Sequence, residues 1–271
     1  MSFTTKAIAL STGVTLPYVE QGDPDGVPVI LLHGVTDSWR SFEPVLPHLP
    51  PSIHAFALTQ RGHGDADRPL TGYSFLNFAA DVAAFMDALR LNRAVIVGHS
   101  MGSGVTQRFA FDYPERLLGI VLEGAFASLP ANPAVREFWE TVVSTLTDPI
   151  DPHLIREFQQ STLAQPVPPA FFETVVKESL KVPARVWKAT FSTFLQEDWL
   201  GELGKIAAPT LIIWGDQDGF CPRSDQDLLT AAIPNAQLLV YRGAGHDPHW
   251  EEPERFTKDV VAFISQRDKH E

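Results

Sequence analysis

A short apolar run, Ala94-Val95-Ile96-Val97, feeds directly into Gly98-His99-Ser100-Met101-Gly102, and a helical stretch from Val105 to Asp112 follows. The run reads as a buried strand, and the G-x-S-x-G pattern places a serine on the sharp turn between strand and helix. Gly98 and Gly102 leave room for a strained backbone and close helix–strand packing, so the hydroxyl of Ser100 projects outward. The helix N-terminus behind it adds free backbone N–H groups and a partial positive charge. Taken alone, the same five residues also fit a strand end with a capping serine. The flanking pattern therefore has to carry the argument.

That pattern alternates. Residues 6–10 and 14–20 read as a hairpin around Ser11-Thr12-Gly13. Strands are expected at 27–32, 53–58, 94–97, 117–122, 210–214 and 237–241. Helices are expected over 75–89, 103–112, about 223–232 and 253–265, with a helical stretch over 38–49. In the first of these, Phe78, Val82, Phe85 and Leu89 recur at spacings near three and four, the mark of an amphipathic helix. Strands alternating with helices predict an α/β fold with a doubly wound, mostly parallel sheet. Ligands in such sheets bind outside the carboxyl ends of the strands.

Residues 128–200 break the alternation. They are helical pieces punctuated by prolines and rich in large apolar side chains, among them Phe138, Phe158, Trp187, Phe191 and Trp199. The expected organisation is a core formed by 1–127 and 201–271, with 128–200 as a helical cap over the strand ends. Most of its apolar residues are expected to pack and a few to line a pocket.

Charge and cysteine usage narrow the functional classes. The formal net charge of −12 over 271 residues argues against nucleic acid or an anionic membrane as partner. No apolar run approaches a membrane span, and Ala7-Ile8-Ala9-Leu10 is too short for a signal-peptide core. The single cysteine, Cys221, excludes an intrachain disulfide and suits a reducing compartment, so a cytoplasmic location is expected. No His/Cys cluster has metal-ligand spacing, and neither a metal nor an organic cofactor is expected.

A serine nucleophile needs a base, an acid to orient the base, and donors for the oxyanion. His246, in Gly243-Ala244-Gly245-His246-Asp247 after the last strand, is the best base, with His249 second. Asp218, in Trp214-Gly215-Asp216-Gln217-Asp218, is the chosen acid; Asp216 and Glu123 are the alternatives. The backbone N–H of Met101 and that of Val35, in His33-Gly34-Val35-Thr36-Asp37, are the expected oxyanion donors. Each signal alone also fits an ordinary turn. All of them fall at the ends of expected strands, in the order oxyanion loop, nucleophile, acid, base.

These landmarks resemble the α/β-hydrolase superfamily, in its branch of capped serine hydrolases, over nearly the whole chain. The matching stretches are Leu31-Leu32-His33-Gly34, Gln60-Arg61-Gly62-His63-Gly64, Gly98 to Gly102, Pro209 to Asp218, and Gly245-His246 followed by Glu252-Pro253-Glu254. The resemblance implies a catalytic Ser100, Asp218 and His246. Thr59 departs from it, since many relatives carry an aspartate there. A serine at position 100 argues against the epoxide hydrolases and haloalkane dehalogenases of this fold, which use aspartate. The implied activity is hydrolysis of a hydrophobic ester or lactone through an acyl-enzyme. A cofactor-free perhydrolase of haloperoxidase type, or a ligand-binding relative with little turnover, are the alternatives. Trp39, Phe42, His99, Phe126 and Trp187 are the expected substrate contacts. Oligomeric state is not legible.

Overall fold

The computed structural model describes residues 3–266, so the outermost residues of the expected core, 1–2 and 267–271, lie outside the described residues. Eight strands form one sheet: β1 (Thr5–Ala9), β2 (Thr15–Gln21), β3 (Val27–Leu32), β4 (Ile53–Leu58), β5 (Ala94–His99), β6 (Leu117–Glu123), β7 (Thr210–Gly215) and β8 (Ala236–Tyr241). Their order is β1-β2-β4-β3-β5-β6-β7-β8. The hairpin β1–β2 and the pair β2–β4 are antiparallel, and every other pairing is parallel.

The helices are α1 (Phe75–Ala88), α2 (Met101–Asp112), α3 (Pro133–Thr141), α4 (Pro152–Ser161), α5 (Pro169–Ser179), α6 (Ala184–Phe194), α7 (Arg223–Ala232), α8 (Pro248–Glu251) and α9 (Pro253–Ser265). Alternate residues of each central strand face opposite sides, as the period of two requires. Ile30, Leu32, Ile96 and Leu122 pack with Phe78 and Phe85 of α1 and Val105 and Phe109 of α2. Val29, Leu31, Val95, Val97 and Val121 pack on the other face with Phe256, Val260 and Ile264 of α9. Both faces are covered, which explains why these strands read as unbroken apolar runs.

The stretch over 38–49 folds as two 3₁₀ turns, Trp39–Phe42 and Leu46–His48, rather than one α-helix. Pro47 sits inside the second and supplies no backbone N–H. Four helices, α3 to α6, lie between β6 and β7. The prolines there start helices instead of breaking them. Pro133, Pro152 and Pro169 occupy the first helical turn, where the missing N–H costs nothing. Asn132 and Asp151 cap the first two by accepting N–H bonds from Ala134 and His153. Among the described residues, no helix is long and apolar enough to cross a membrane.

Candidate active site

Three strand ends build the site. At the end of β5, Ser100 adopts φ 51° and ψ −114°, a left-handed backbone that residues with side chains seldom adopt. Gly98 and Gly102 make the turn possible by close approach. A Cβ on Gly98 would stand 2.2 Å from the carbonyl oxygen of Gly102, and one on Gly102 would stand 2.2 Å from that of Leu32. The Ser100 N–H donates to the Glu123 carbonyl at 2.9 Å, which ties the turn to the end of β6. Met101 is the first residue of α2, so its N–H has no acceptor within the helix.

After β7 the chain turns so that the side chain of Asp218 is fully buried. Its Oδ1 accepts the N–H groups of Phe220 and Cys221, at 2.8 and 2.9 Å. Its Oδ2 faces Nδ1 of His246 at 2.8 Å. A carboxylate held by two backbone donors cannot swing away, so the imidazole is held with Nε2 as the ring nitrogen that the aspartate leaves free. The loop after β8 is pinned at the same point, where the His246 N–H donates to the Thr162 carbonyl at 2.7 Å. Gly124 makes room for the ring: a Cβ there would lie 2.9 Å from His246 Cε1. Burial alone would push the imidazole pKa down, but the charge and hydrogen bond of Asp218 outweigh it and hold the value up at about 9.

The alternatives named from sequence are occupied elsewhere. Asp216 is exposed and accepts the Gly243 N–H and the Gln217 amide. Glu123 is buried, and its Oε1 accepts both the N–H and Nδ1–H of His249. The other ring nitrogen of His249 pairs with Ser41 Oγ at 2.9 Å, so neither nitrogen is available for proton transfer. Cys221 is buried; its thiol pKa is raised by burial and then by Asp218 and Asp225, and its Sγ donates to the Gly124 carbonyl. Thr59, the departure in the Arg-Gly loop, accepts the Trp39 N–H at 3.1 Å and so supports the turn after β3.

Ser100, His246, Met101, Val35, His99 and Phe126 all line one cavity at the strand ends. Phe138, Phe158, Phe191 and Phe194, from the helices between β6 and β7, form its apolar wall. Three expected substrate contacts do not line it. Trp39 and Phe42 share one side of a 3₁₀ turn, where residues three apart eclipse, and that side faces the sheet layer containing α9. Phe42 packs on His249, with ring centroids 5.0 Å apart. Trp187 is 1% exposed and lies beneath Phe158 and Phe191, which reach the cavity in its place. Sequence reasoning missed Asp37, Gln159, Asp247 and Trp250, which also line the cavity. Asp37 and Asp247 stood two residues from Val35 and one from His246, and that proximity was the only signal.

Among the described residues, two groups of side chains place possible metal-ligand atoms within 4.8 Å of one another: His99, Asp247 and His249, and Asp218, Cys221 and His246. In the first, His249 already spends both nitrogens on Glu123 and Ser41. In the second, the thiol keeps its proton and the Asp–His bond fills the gap.

The family model for the alpha/beta hydrolase fold matches residues 27–253. The chain therefore belongs to the α/β-hydrolase fold family and is a hydrolase by class. It is 28% identical over 283 residues to a non-heme chloroperoxidase of Streptomyces lividans, covering 95% of this chain and 98% of that protein. The solved esterase RhEst1 from Rhodococcus sp. ECU1013 superposes with a TM-score of 0.82 at 28% identity, over 98% of this chain and 99% of its own. Est816, described as an N-acyl homoserine lactone degrading enzyme, superposes with a TM-score of 0.79 at 25% identity, over 95% of this chain and all of its own.

Proposed function

We propose that the protein is a serine hydrolase that cleaves a carboxylic ester or lactone of a hydrophobic small molecule through an acyl-enzyme. The observation that carries this reading is the 2.8 Å bond between Asp218 Oδ2 and His246 Nδ1, in a cavity that Ser100 also lines. Ser100 Oγ attacks the carbonyl carbon while His246 Nε2 takes its proton. The N–H groups of Val35 and Met101 receive the negative charge on the carbonyl oxygen. The alcohol leaves with the proton from His246. Water, deprotonated by the same nitrogen, then attacks the acyl group, and the acid departs as Ser100 regains its proton. Asp218 keeps the imidazole in the required tautomer and balances its charge in both halves of the cycle. The phenylalanine wall favours an apolar acyl or alcohol group.

Ser100→Ala is expected to lower kcat on p-nitrophenyl esters by roughly a thousandfold or more. A fluorophosphonate probe should label the wild-type serine and leave the variant unlabelled. Retained turnover in the variant overturns the reading. The similarity to the chloroperoxidase supports a second outcome, peracid formation from a carboxylic acid and hydrogen peroxide on the same serine. A halogenation assay with added acetate separates it from simple hydrolysis.

A further inference from the structure

Thr36 carries a backbone that its side chain disfavours, and two helices between β6 and β7 hold it there. The chain turns over Gly34-Val35-Thr36-Asp37, with the Asp37 N–H reaching back to the Gly34 carbonyl at 3.4 Å. Thr36, third in the turn, has φ 74°. A turn with a left-handed third residue ordinarily takes Gly or Asn there. Among the described residues, only Thr36, Arg90 and Ser100 combine a side chain with such a φ. Ser100 sits on the turn from β5 into α2. Arg90 lies just beyond the end of α1, where many helices close on a left-handed residue. Thr36 is the β-branched one of the three, for which this backbone is least favourable, and it directly follows Val35. A strained residue persists only where its surroundings over-determine it.

Those surroundings come from far along the chain. Thr36 is buried, and so are Gln159 on α4 and Ser179, the last residue of α5. Gln159 Nε2 lies 2.7 Å from Ser179 Oγ, 3.1 Å from Asp37 Oδ1 and 3.3 Å from Thr36 Oγ1. Its two hydrogens suit the two nearer acceptors. Ser179, accepting one of them, keeps its own proton for Thr36 Oγ1 at 3.1 Å. A tether needs a fixed far end, and α4 has one. The carbonyl of Thr162, which ends α4, accepts the His246 N–H at 2.7 Å. Just beyond, Glu251 Oε1 accepts the N–H groups of Ala164 and Gln165, at 2.6 and 3.0 Å, while its Oε2 accepts that of Gly245 at 2.8 Å. One helix end therefore grips the loop of Val35 and the loop of His246 together.

We infer that Gln159 and Ser179 are positioning residues for the hydrolysis: through Thr36 and Asp37 they hold the turn that presents the Val35 N–H to the oxyanion. The inference rests on the serine-hydrolase reading above. Without the tether, Thr36 relaxes to a negative φ and the turn around Val35 settles into another shape. The oxyanion develops only in the transition state, so loss of the tether lowers kcat and leaves KM near its wild-type value.

A cycle of substitutions read on p-nitrophenyl butyrate tests it, with kcat counted per serine labelled by the fluorophosphonate probe, so that unfolded protein does not enter. Gln159→Leu is expected to lower kcat at least about tenfold and to move KM by less than about twofold. Ser179→Ala, a smaller change that keeps the test alive if the first variant does not fold, should lower kcat by about threefold or more. Both losses should shrink to less than about twofold in a Thr36→Gly background, because glycine adopts the left-handed backbone unaided. Unchanged kcat, a loss carried by KM, or a loss of the same size with glycine at position 36 overturns the inference. Any of these outcomes in an enzyme whose wild type is labelled and active sinks the tether alone. A wild type that is neither labelled nor active on any ester sinks the serine-hydrolase reading and the tether with it.

Discussion

Ser100 and His246 hold unusual states, one in its backbone and the other in its proton affinity, and both are consequences of neighbours. In the proposed mechanism His246 is the general base and must be neutral to accept a proton. With its pKa held up at about 9 by Asp218, His246 is mostly charged at neutral pH. The kcat/KM for a neutral ester is therefore expected to rise with pH towards a midpoint near 9; a flat profile from pH 6 to 9 contradicts this assignment. The same shift affects stability. The folded chain holds a proton between about pH 6.5 and 9 that the unfolded chain releases, so this pair stabilises fully below 6.5 and its contribution is lost as pH rises through 9. Asp247 adds a slope of its own. Burial raises its pKa to about 7 against the partial opposition of His246 and His249, so the folded state keeps a proton that the unfolded state loses above about 4. Stability accordingly falls from pH 4 to 7. Asp247→Asn should flatten that part of the curve, as measured by urea unfolding at pH 5 and pH 8. The placement of Ser100, Asp218 and His246 at strand ends was readable from sequence because each follows an apolar strand. The carboxyls of Asp37 and Asp247 were not, because a turn aspartate looks the same whether it faces water or a cavity.

At the scale of the elements, the loop after β4 is anchored by an ion pair from which water is excluded. Arg61 donates from Nε and Nη2 to the two carboxylate oxygens of Asp81 on α1, both at 2.6 Å. Thr12 adds a third donor at 2.6 Å. Asp81→Ala strands the guanidinium in a buried site and is expected to cost about 3–5 kcal/mol in denaturant unfolding. A loss below about 1 kcal/mol would mean that Arg61 reaches water on its own. The amphipathic spacing of α1 was plain in the sequence, since Phe78, Val82 and Phe85 are all buried. The helical stretch expected over 38–49 is present as two 3₁₀ turns; apolar spacing alone does not distinguish a 3₁₀ turn, with residues three apart eclipsed, from an α-helix.

Across the whole molecule, the helices between β6 and β7 supply much of the cavity's apolar wall and carry their own packing. Trp187, stacked on Phe191 with centroids 6.1 Å apart, holds that wall from behind. Trp187→Ala is expected to destabilise the protein by about 3–5 kcal/mol, read as a lower urea midpoint. A variant of full stability would show that the wall stands without it. Periodicity and strand-end motifs in the chain were enough to specify the layered α/β sheet, the order of its strands with respect to helices, and a serine, an aspartate and a histidine at one rim, because backbone hydrogen bonding and burial act on short, contiguous stretches. Which aromatic rings face the substrate space, and which polar atoms are left without partners beside the oxyanion loop, depended on how segments more than a hundred residues apart come together. Gln159 reaching Asp37 from 122 residues along the chain is set by three-dimensional packing, which no local pattern encodes.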